Sequence, residues 1–302
     1  MTIRAHAKVN LRLRILAPGA DNYHSLETIF LRLELADRVE AALRRAPGIA
    51  LDLALDPSLG GDPVPADERN LAWRAAESLL AESGQPGGAT IRLEKRIPAG
   101  SGLGGASSNA AAVLRALNAE LDRPLADDTL RRLAGELGSD VPFFLLPQGM
   151  ALGWERGRGL MPLAAPPSRP VLLLVPPFPI GSGDAYAWLD ARRGDSAPGP
   201  ASTLPAAHRL SDWATLRRLA TNDFEPAVFD RHPLLAACKE ALSAEGAELA
   251  LLSGSGSTLF GVFATVEERD RAAERLSAVL EVSMLRTATW AGPVDASARS
   301  DP

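Results

Sequence analysis

The stretch Ile97-Pro98-Ala99-Gly100-Ser101-Gly102-Leu103-Gly104-Gly105-Ala106-Ser107-Ser108-Asn109 constrains this chain more than any other. A β-patterned run at 90–97 leads into it. A helical pattern leaves it, with Ala106, Ala110, Val113, Leu114 and Leu117 spaced to share one face. A glycine-rich loop therefore joins a strand to a helix N-terminus. Gly100, Gly102, Gly104 and Gly105 let the backbone approach a ligand closely and take positive φ where needed. The unpaired N–H groups of the first helical turn then face that ligand, with the positive end of the helix dipole behind them. Such a construction is a phosphate cradle. Ser107 and Ser108 add hydroxyls within reach of phosphate or Mg²⁺.

Read literally, Gly100-x-Gly102-x-x-Gly105 is a dinucleotide fingerprint, which implies an NAD(P)-binding oxidoreductase. That fingerprint belongs to the first βα unit of its domain, whereas nearly ninety residues precede this one. Glu120 and Asp122, the candidate ribose acids, lie at a helix end rather than at the tip of a second strand. A Walker A loop ends in Gly-Lys-Ser/Thr, and no lysine follows these glycines.

The full string, Pro98-x-Gly100-x-Gly102-Leu103-Gly104-Gly105-x-Ser107-Ser108-Asn109-Ala110-Ala111, resembles the phosphate loop of the GHMP kinases. Within that superfamily it is most similar to the 4-diphosphocytidyl-2-C-methyl-D-erythritol kinases. The resemblance implies ATP and Mg²⁺ as cofactors, with Pro98 through Ser108 around the nucleotide.

Other motifs bear on that resemblance. Lys8 and Asn10 sit two apart on one face of the first strand, with Val9 and Leu11 on the other. Taken alone, Lys8 reads as an exposed strand lysine. Ala7-Lys8-Val9-Asn10-Leu11 is similar to the family's Ala-Lys-x-Asn-Leu, which implies a catalytic role for Lys8 and substrate contact for Asn10. Asp21-Asn22-Tyr23-His24-Ser25-Leu26 resembles the family's Asp-Gly-Tyr-His-x-Leu, whose Tyr and His hold the cytidine end of the substrate. Here Asn22 replaces the glycine, and asparagine tolerates positive φ better than most residues. Gly138-Ser139-Asp140-Val141-Pro142-Phe143 resembles Gly-x-Asp-Val-Pro-Phe, whose Asp is the catalytic base. Taken alone, Asp140 reads equally as an Asx-turn residue.

Asn70-Leu71 resembles the family's Asp-Asn-Leu beside adenine, or else Asn70 is a plain N-cap; Arg69 departs from the acidic residue expected before it. Ser253-Gly254-Ser255-Gly256 resembles a third family motif that packs beside the phosphates, or else it is a β-turn. Tyr186 aligns loosely with a family aromatic that sandwiches cytosine, and Trp188 competes for the role. His6, His208 and His232 show no metal-ligand spacing, and the sequence carries no signal for the protein ligands of the metal or for oligomeric state.

The net charge of −5 points away from nucleic acid and anionic membranes as partners. One cysteine, Cys238, excludes an internal disulfide and any multi-cysteine metal site, and its apolar helical setting makes it a buried thiol. No apolar run approaches the ~20 residues of a membrane span, so the cytoplasm is the expected location. Strands are expected at 3–16, 28–35, 49–55, 90–97, 171–175, 247–252, 258–263 and 282–289. Helices are expected at 70–83 (closed by Gly84), after the glycine loop, at 129–137 (capped by Asp127 or Asp128, stopped by Gly138), and at 211–220, 234–244 and 267–280. The pattern is α+β.

The resemblance adds a two-domain GHMP kinase fold: an N-terminal ATP-binding domain at 1–160, similar to ribosomal protein S5 domain 2, and a ferredoxin-like C-terminal domain at 161–291. Residues 292–302 read as a disordered tail. The implied activity is ATP-dependent phosphorylation of the 2-hydroxyl of 4-diphosphocytidyl-2-C-methyl-D-erythritol, in the non-mevalonate route to isoprenoid precursors. Another GHMP kinase, acting on mevalonate or homoserine, is the alternative, against which Tyr23-His24 argues.

Overall fold

A computed structural model describes residues 1–18, 24–56, 63–155, 159–194, 204–290 and 292. The alternation read in the first strand is realised in β1 (Thr2–Pro18). Ala7, Val9 and Leu11 enter the core between the two sheets, while Lys8, Asn10 and Arg12 occupy the other face. β1 pairs antiparallel with β2 (His24–Arg44), which is far longer than the strand expected at 28–35. β2 stays apolar and buried along its middle, so nothing ends it before Arg44.

β3 (Gly48–Leu55) crosses over through α1 (Leu71–Ser83) to β4 (Gly88–Lys95), and β3 and β4 pair in parallel. Asn70 caps α1, and Gly84 closes it in the left-handed conformation at φ 63°. α2 (Gly105–Asn118), α3 (Asp127–Leu137) and α4 (Val141–Leu145) follow. Ala110, Val113, Leu114 and Leu117 are buried as expected, but Ala106 is exposed. Ser108 and Asn109 are buried in its stead. Neither Asp127 nor Asp128 caps α3: the N-cap is Ala126, and both carboxylates lie in the first turn, where they favour the helix dipole.

The hairpin β5 (Met150–Trp154) and β6 (Gly159–Leu163) completes one wing of the first sheet. β7 (Pro170–Val175) opens the second sheet. Then come α5 (Ser182–Arg193), a 3₁₀ turn at Ala207–Ser211, α6 (Trp213–Leu219), β8 (Thr221–Asn222), α7 (Glu225–Arg231) and α8 (Pro233–Ala244). β9 (Leu249–Leu252), β10 (Leu259–Val262), α9 (Val266–Ser277) and β11 (Ser283–Ala288) complete the elements of the described residues. α4, α5, α7, β5, β6 and β8 were not anticipated from the sequence. The turn expected at 17–22 and the loop at 56–67 fall partly outside the described residues, as does the tail beyond residue 292.

The first sheet has seven strands, with the path β3-β4-β2-β1-β8 and β5-β6 branching from β2. The second has four antiparallel strands in the order β11-β7-β10-β9, the ferredoxin-like arrangement expected. The layers run helices, sheet, sheet, helices. α1 to α4 cover one face of the first sheet. Its other face packs Val9, Leu11, Ile29 and Leu31 against Val171, Leu173 and Phe260 of the second sheet. Leu172 and Leu174 point the opposite way, onto α5, α7, α8 and α9. β7 is buried on both faces, which explains its unbroken apolar run. Cys238 lies buried in α8, and burial pushes its thiol up to about 11.

Candidate active site

A cleft of about 550 Å³ opens over the N-terminus of α2. The glycine loop forms its floor, and Gly104 caps α2 at φ 72°. No acidic residue or side-chain cap occupies the first turn of α2, so its leading N–H groups are available to an anion. The loop is held from behind. Thr258 N donates to Ser101 O at 3.3 Å, Ser253 Oγ to Gly102 O at 3.0 Å and Lys8 N to Leu103 O at 2.9 Å. A Cβ on Gly102 would lie 2.3 Å from Ser253 O, so the close packing of the third glycine motif requires glycine there. Ser253-Gly254-Ser255-Gly256 thus packs on the glycine loop, and Asn222 fixes it by donating to Leu252 O and Gly254 O, both at 2.8 Å.

The residues expected around the nucleotide do not all face the cleft in the same way. Pro98, Ala99, Gly100, Gly105, Ala106 and Ser107 line it. Ser101 turns its hydroxyl onto Pro98 O at 2.6 Å, and Leu103 is anchored in the core between the sheets. Ser108 does not line the cleft: it is buried on another side of α2.

Lys8, Asn10 and Asp140 meet on the facing wall. Lys8 Nζ lies 3.2 Å from Asp140 Oδ2 and donates to Asn10 Oδ1 at 2.7 Å. Asn10 Nδ2 donates to Thr28 Oγ1 at 2.7 Å, and that hydroxyl donates to Arg12 O at 2.8 Å. The ammonium is thereby fixed, and its side chain is 5% exposed against 31% for Asp140. Asp140 stands at the N-cap of α4 without any side-chain cap bond, so it is no Asx-turn residue and its carboxylate is free to face Lys8. Pro142 is accommodated in the first turn, where its missing N–H is no loss.

Asn70 caps α1 by accepting from Ala72 N at 3.0 Å, and it also lines the cleft while donating to Pro65 O at 2.7 Å. Asn70 is thus the N-cap of α1 and a lining residue of the cleft at once. Arg69 is drawn onto Asp67, two residues back, by a bidentate pair.

No local motif announces the support beneath the loop. Lys95, at the end of β4, forms an ion pair with buried Asp37 and donates to Asn109 Oδ1 at 3.0 Å. Asn109 Nδ2 donates to Asp37 Oδ2 at 2.9 Å, and Asp37 Oδ1 accepts from Arg96 N and Ile97 N. This cluster locks the strand end, the loop and α2 together.

At the far end His24 and Tyr186 stack with ring centroids 5.3 Å apart and planes at 17°. His24 places its ring nitrogens on Leu16 O (3.1 Å) and on the Asp190 carboxylate (3.0 Å). Tyr186 meets Phe224 edge-on, and both line the cleft. Burial, with Asp140 and Asp190 nearby, pushes the Tyr186 hydroxyl up. Trp188 instead packs against His232, which stacks on Phe178, so Tyr186 rather than Trp188 faces the cleft. Tyr23 lies outside the described residues. Among the described residues, no group of three His, Cys, Asp or Glu side chains is placed to hold a metal ion.

Comparison with known proteins agrees with this architecture. The family model "GHMP kinases N terminal domain" matches residues 70–148, and "GHMP kinases C terminal" matches 203–282. The 4-diphosphocytidyl-2-C-methyl-D-erythritol kinase of Citrifermentans bemidjiense is 38% identical over 277 residues, covering 92% of this chain and 94% of the relative. That of Moorella thermoacetica is 39% identical over 279 residues, covering 91% and 94%. A crystal structure of 4-(cytidine 5'-diphospho)-2C-methyl-D-erythritol kinase superposes with TM-score 0.78 at 35% identity over 97% of this chain and 100% of the other. A homoserine kinase from Cytophaga hutchinsonii shares the fold alone, with TM-score 0.68 at 18% identity over 96% of this chain and 95% of the other. The chain belongs to the 4-diphosphocytidyl-2-C-methyl-D-erythritol kinase family of the GHMP kinases.

Proposed function

We propose that the protein transfers the γ-phosphoryl group of ATP to the 2-hydroxyl of 4-diphosphocytidyl-2-C-methyl-D-erythritol, giving the 2-phosphate and ADP. The observation that carries this reading is the Lys8–Asp140 pair, which shares one cleft with the glycine loop and with the ring of Tyr186. The N–H groups of α2 hold the phosphates of the nucleotide. Asp140 accepts the proton of the attacking hydroxyl, and Lys8 offsets charge on the transferred group. Asn10 holds Lys8 in place and lies beside the reacting alcohol. Tyr186 stacks on cytosine, with His24 packed behind it and Tyr23 completing that pocket; Asn70 borders adenine.

Mg²⁺, when bound, neutralises charge on the phosphates of the nucleotide. The donor set fits such an ion, because Mg²⁺ in phosphoryl-transfer sites needs only one or two protein oxygens besides phosphate and water. Ser107 and Asp140 are among the oxygen-bearing side chains that line the cleft and would hold it. No helix among the described residues is long and apolar enough to cross a membrane, and an ATP-dependent step in isoprenoid precursor synthesis suits the cytoplasm. Residues 1–160 carry the nucleotide side of the site together with Lys8, Asp140 and His24, and 161–291 add Tyr186.

The test is ADP release from ATP and Mg²⁺ with the cytidine substrate, with mevalonate and homoserine as parallel acceptors. Turnover that depends on the cytidine substrate is the expected result. Equal turnover with either other alcohol, or none with the cytidine compound, would overturn the reading.

A further inference from the structure

Arg69 stands where the resemblance puts an acid, immediately before the N-cap of α1. It belongs to the cleft. The segment 63–71 contributes Pro63, Val64, Pro65 and Leu71 to the lining, an apolar wall, and Arg69 is its charged member. The other cations of the cleft are committed: Lys8 to Asp140 and Lys95 to Asp37, each side chain only 5% exposed. The Arg69 side chain is 75% exposed. Its guanidinium is nevertheless oriented. Nε donates to both oxygens of Asp67, at 2.9 and 3.1 Å, and Nη2 donates to Asp67 Oδ2 at 2.7 Å. Asp67 is itself tied to the backbone, accepting from Arg69 N at 3.0 Å. One edge of the fork is thus used, and the faces of its plane stay open.

Local structure does not favour an arginine here. α1 has no acid in its first turn, and the helix dipole opposes a cation at its N-terminus. Asp67 offsets that cost. The phosphates of a nucleotide belong to the N–H groups of α2, so the apolar wall beside Asn70 is left to the flat base. A guanidinium plane stacks on an aromatic ring, which a carboxylate cannot do. We propose that Arg69 stacks on the adenine of ATP and so sets nucleotide affinity, with Asp67 as the residue that positions it. The inference rests on the kinase reading and names the side chain that covers the base.

The test is calorimetric titration of ATP and of tripolyphosphate, both with Mg²⁺, beside steady-state kinetics. Arg69→Ala should raise Kd and KM for ATP by about two- to fivefold, the range of an exposed cation on a ring face. Affinity for tripolyphosphate, KM for the cytidine substrate and kcat at saturating ATP should hold. Asp67→Asn keeps an acceptor for Arg69 N but releases the plane of the guanidinium and unmasks its charge. Stacking predicts weaker ATP binding in that variant, whereas a cation acting on the phosphates predicts tighter binding of ATP and tripolyphosphate alike. Unchanged ATP affinity in Arg69→Ala, equal losses for ATP and tripolyphosphate, or tighter ATP binding in Asp67→Asn overturns the proposal and leaves the kinase reading standing. Failure of the wild type to bind ATP overturns both.

Discussion

Asp140 occupies the N-cap of α4 and makes no cap bond, so its carboxylate faces Lys8 at 3.2 Å. An amide of the same shape keeps the packing but cannot take a proton. Asp140→Asn is therefore expected to lower kcat by a factor on the order of 10² to 10⁴. Far-UV circular dichroism and ATP affinity should stay unchanged, and near-wild-type turnover would show Asp140 to be a mere positioning group. Gly104 is linked to the same pair from the loop side. A Cβ there would lie 2.9 Å from Lys8 Cγ and 3.1 Å from the ring of Phe144, at φ +72°. Gly104→Ala should thus lower both ATP affinity and kcat, because it displaces the lysine as well as crowding the phosphates. Gly135 in α3 is the control: a Cβ there meets nothing within 4 Å, so Gly135→Ala should leave turnover intact and stabilise by about 0.5–1 kcal/mol. Lys8, Asp140 and the loop were legible because each sits in a short local motif. Asp37, Lys95 and Asn109 were not, since only the register of β2 on β4, with Arg38 opposite Glu94, brings Asp37 to Lys95.

At the scale of elements, legibility followed the length and regularity of the apolar pattern. β1 alternates over a long run, and β7 is short but apolar without a break from Val171 to Val175. α5 buries only Ala185 and Leu189 fully, a single i, i+4 pair behind Gly181 and Gly183, too short a stripe to signal a helix. The β5–β6 hairpin is interrupted by Gly153, Gly159 and Pro162, and α4 contains Pro142. Yet α5 carries Tyr186, and Asp190 one turn on meets His24 at 3.0 Å. The helix therefore presents one ring to the cleft and braces the imidazole packed behind it. A base stacked on such a ring is worth roughly 1–3 kcal/mol. Tyr186→Ala should then weaken binding of the cytidine substrate by about tenfold to a hundredfold, with ATP affinity nearly unchanged. Tyr186→Phe should be mild, since the ring face and its contact with Phe224 remain. Calorimetric titration of each ligand separately reads this out. An equal loss of ATP affinity in Tyr186→Ala would mean that α5 braces the whole cleft instead of one end of it.

At the scale of the molecule, the two sheets are stitched edge to edge as well as packed face to face. Leu33 bridges Thr289, Trp290 N donates to Arg32 O at 2.9 Å, and Leu35 N donates to Thr287 Oγ1 at 3.0 Å. His6 sits on this seam, bonded to Leu33 O and 5.3 Å from the ring of Trp290. Its titration should therefore be felt by the whole fold. Burial, reinforced by the charges of Arg4 and Arg32, brings its pKa down to about 4, below the ~6.5 of an unfolded chain. Between those values the unfolded state binds the proton and the folded state does not. Stability is then complete above about pH 6.5 and is lost progressively as pH falls toward 4. A depression of this size corresponds to at most about 3 kcal/mol, a large share of the stability of an ordinary domain. Urea unfolding, stepped from pH 7.5 to pH 4.5, should accordingly show a steeper loss for the wild type than for His6→Gln, whose amide stays neutral while still offering a donor to Leu33 O. Parallel slopes for the two proteins would assign the acid sensitivity to groups other than His6. A slope confined to the wild type would make one imidazole, at the join of the two sheets, the group through which acid loosens the fold.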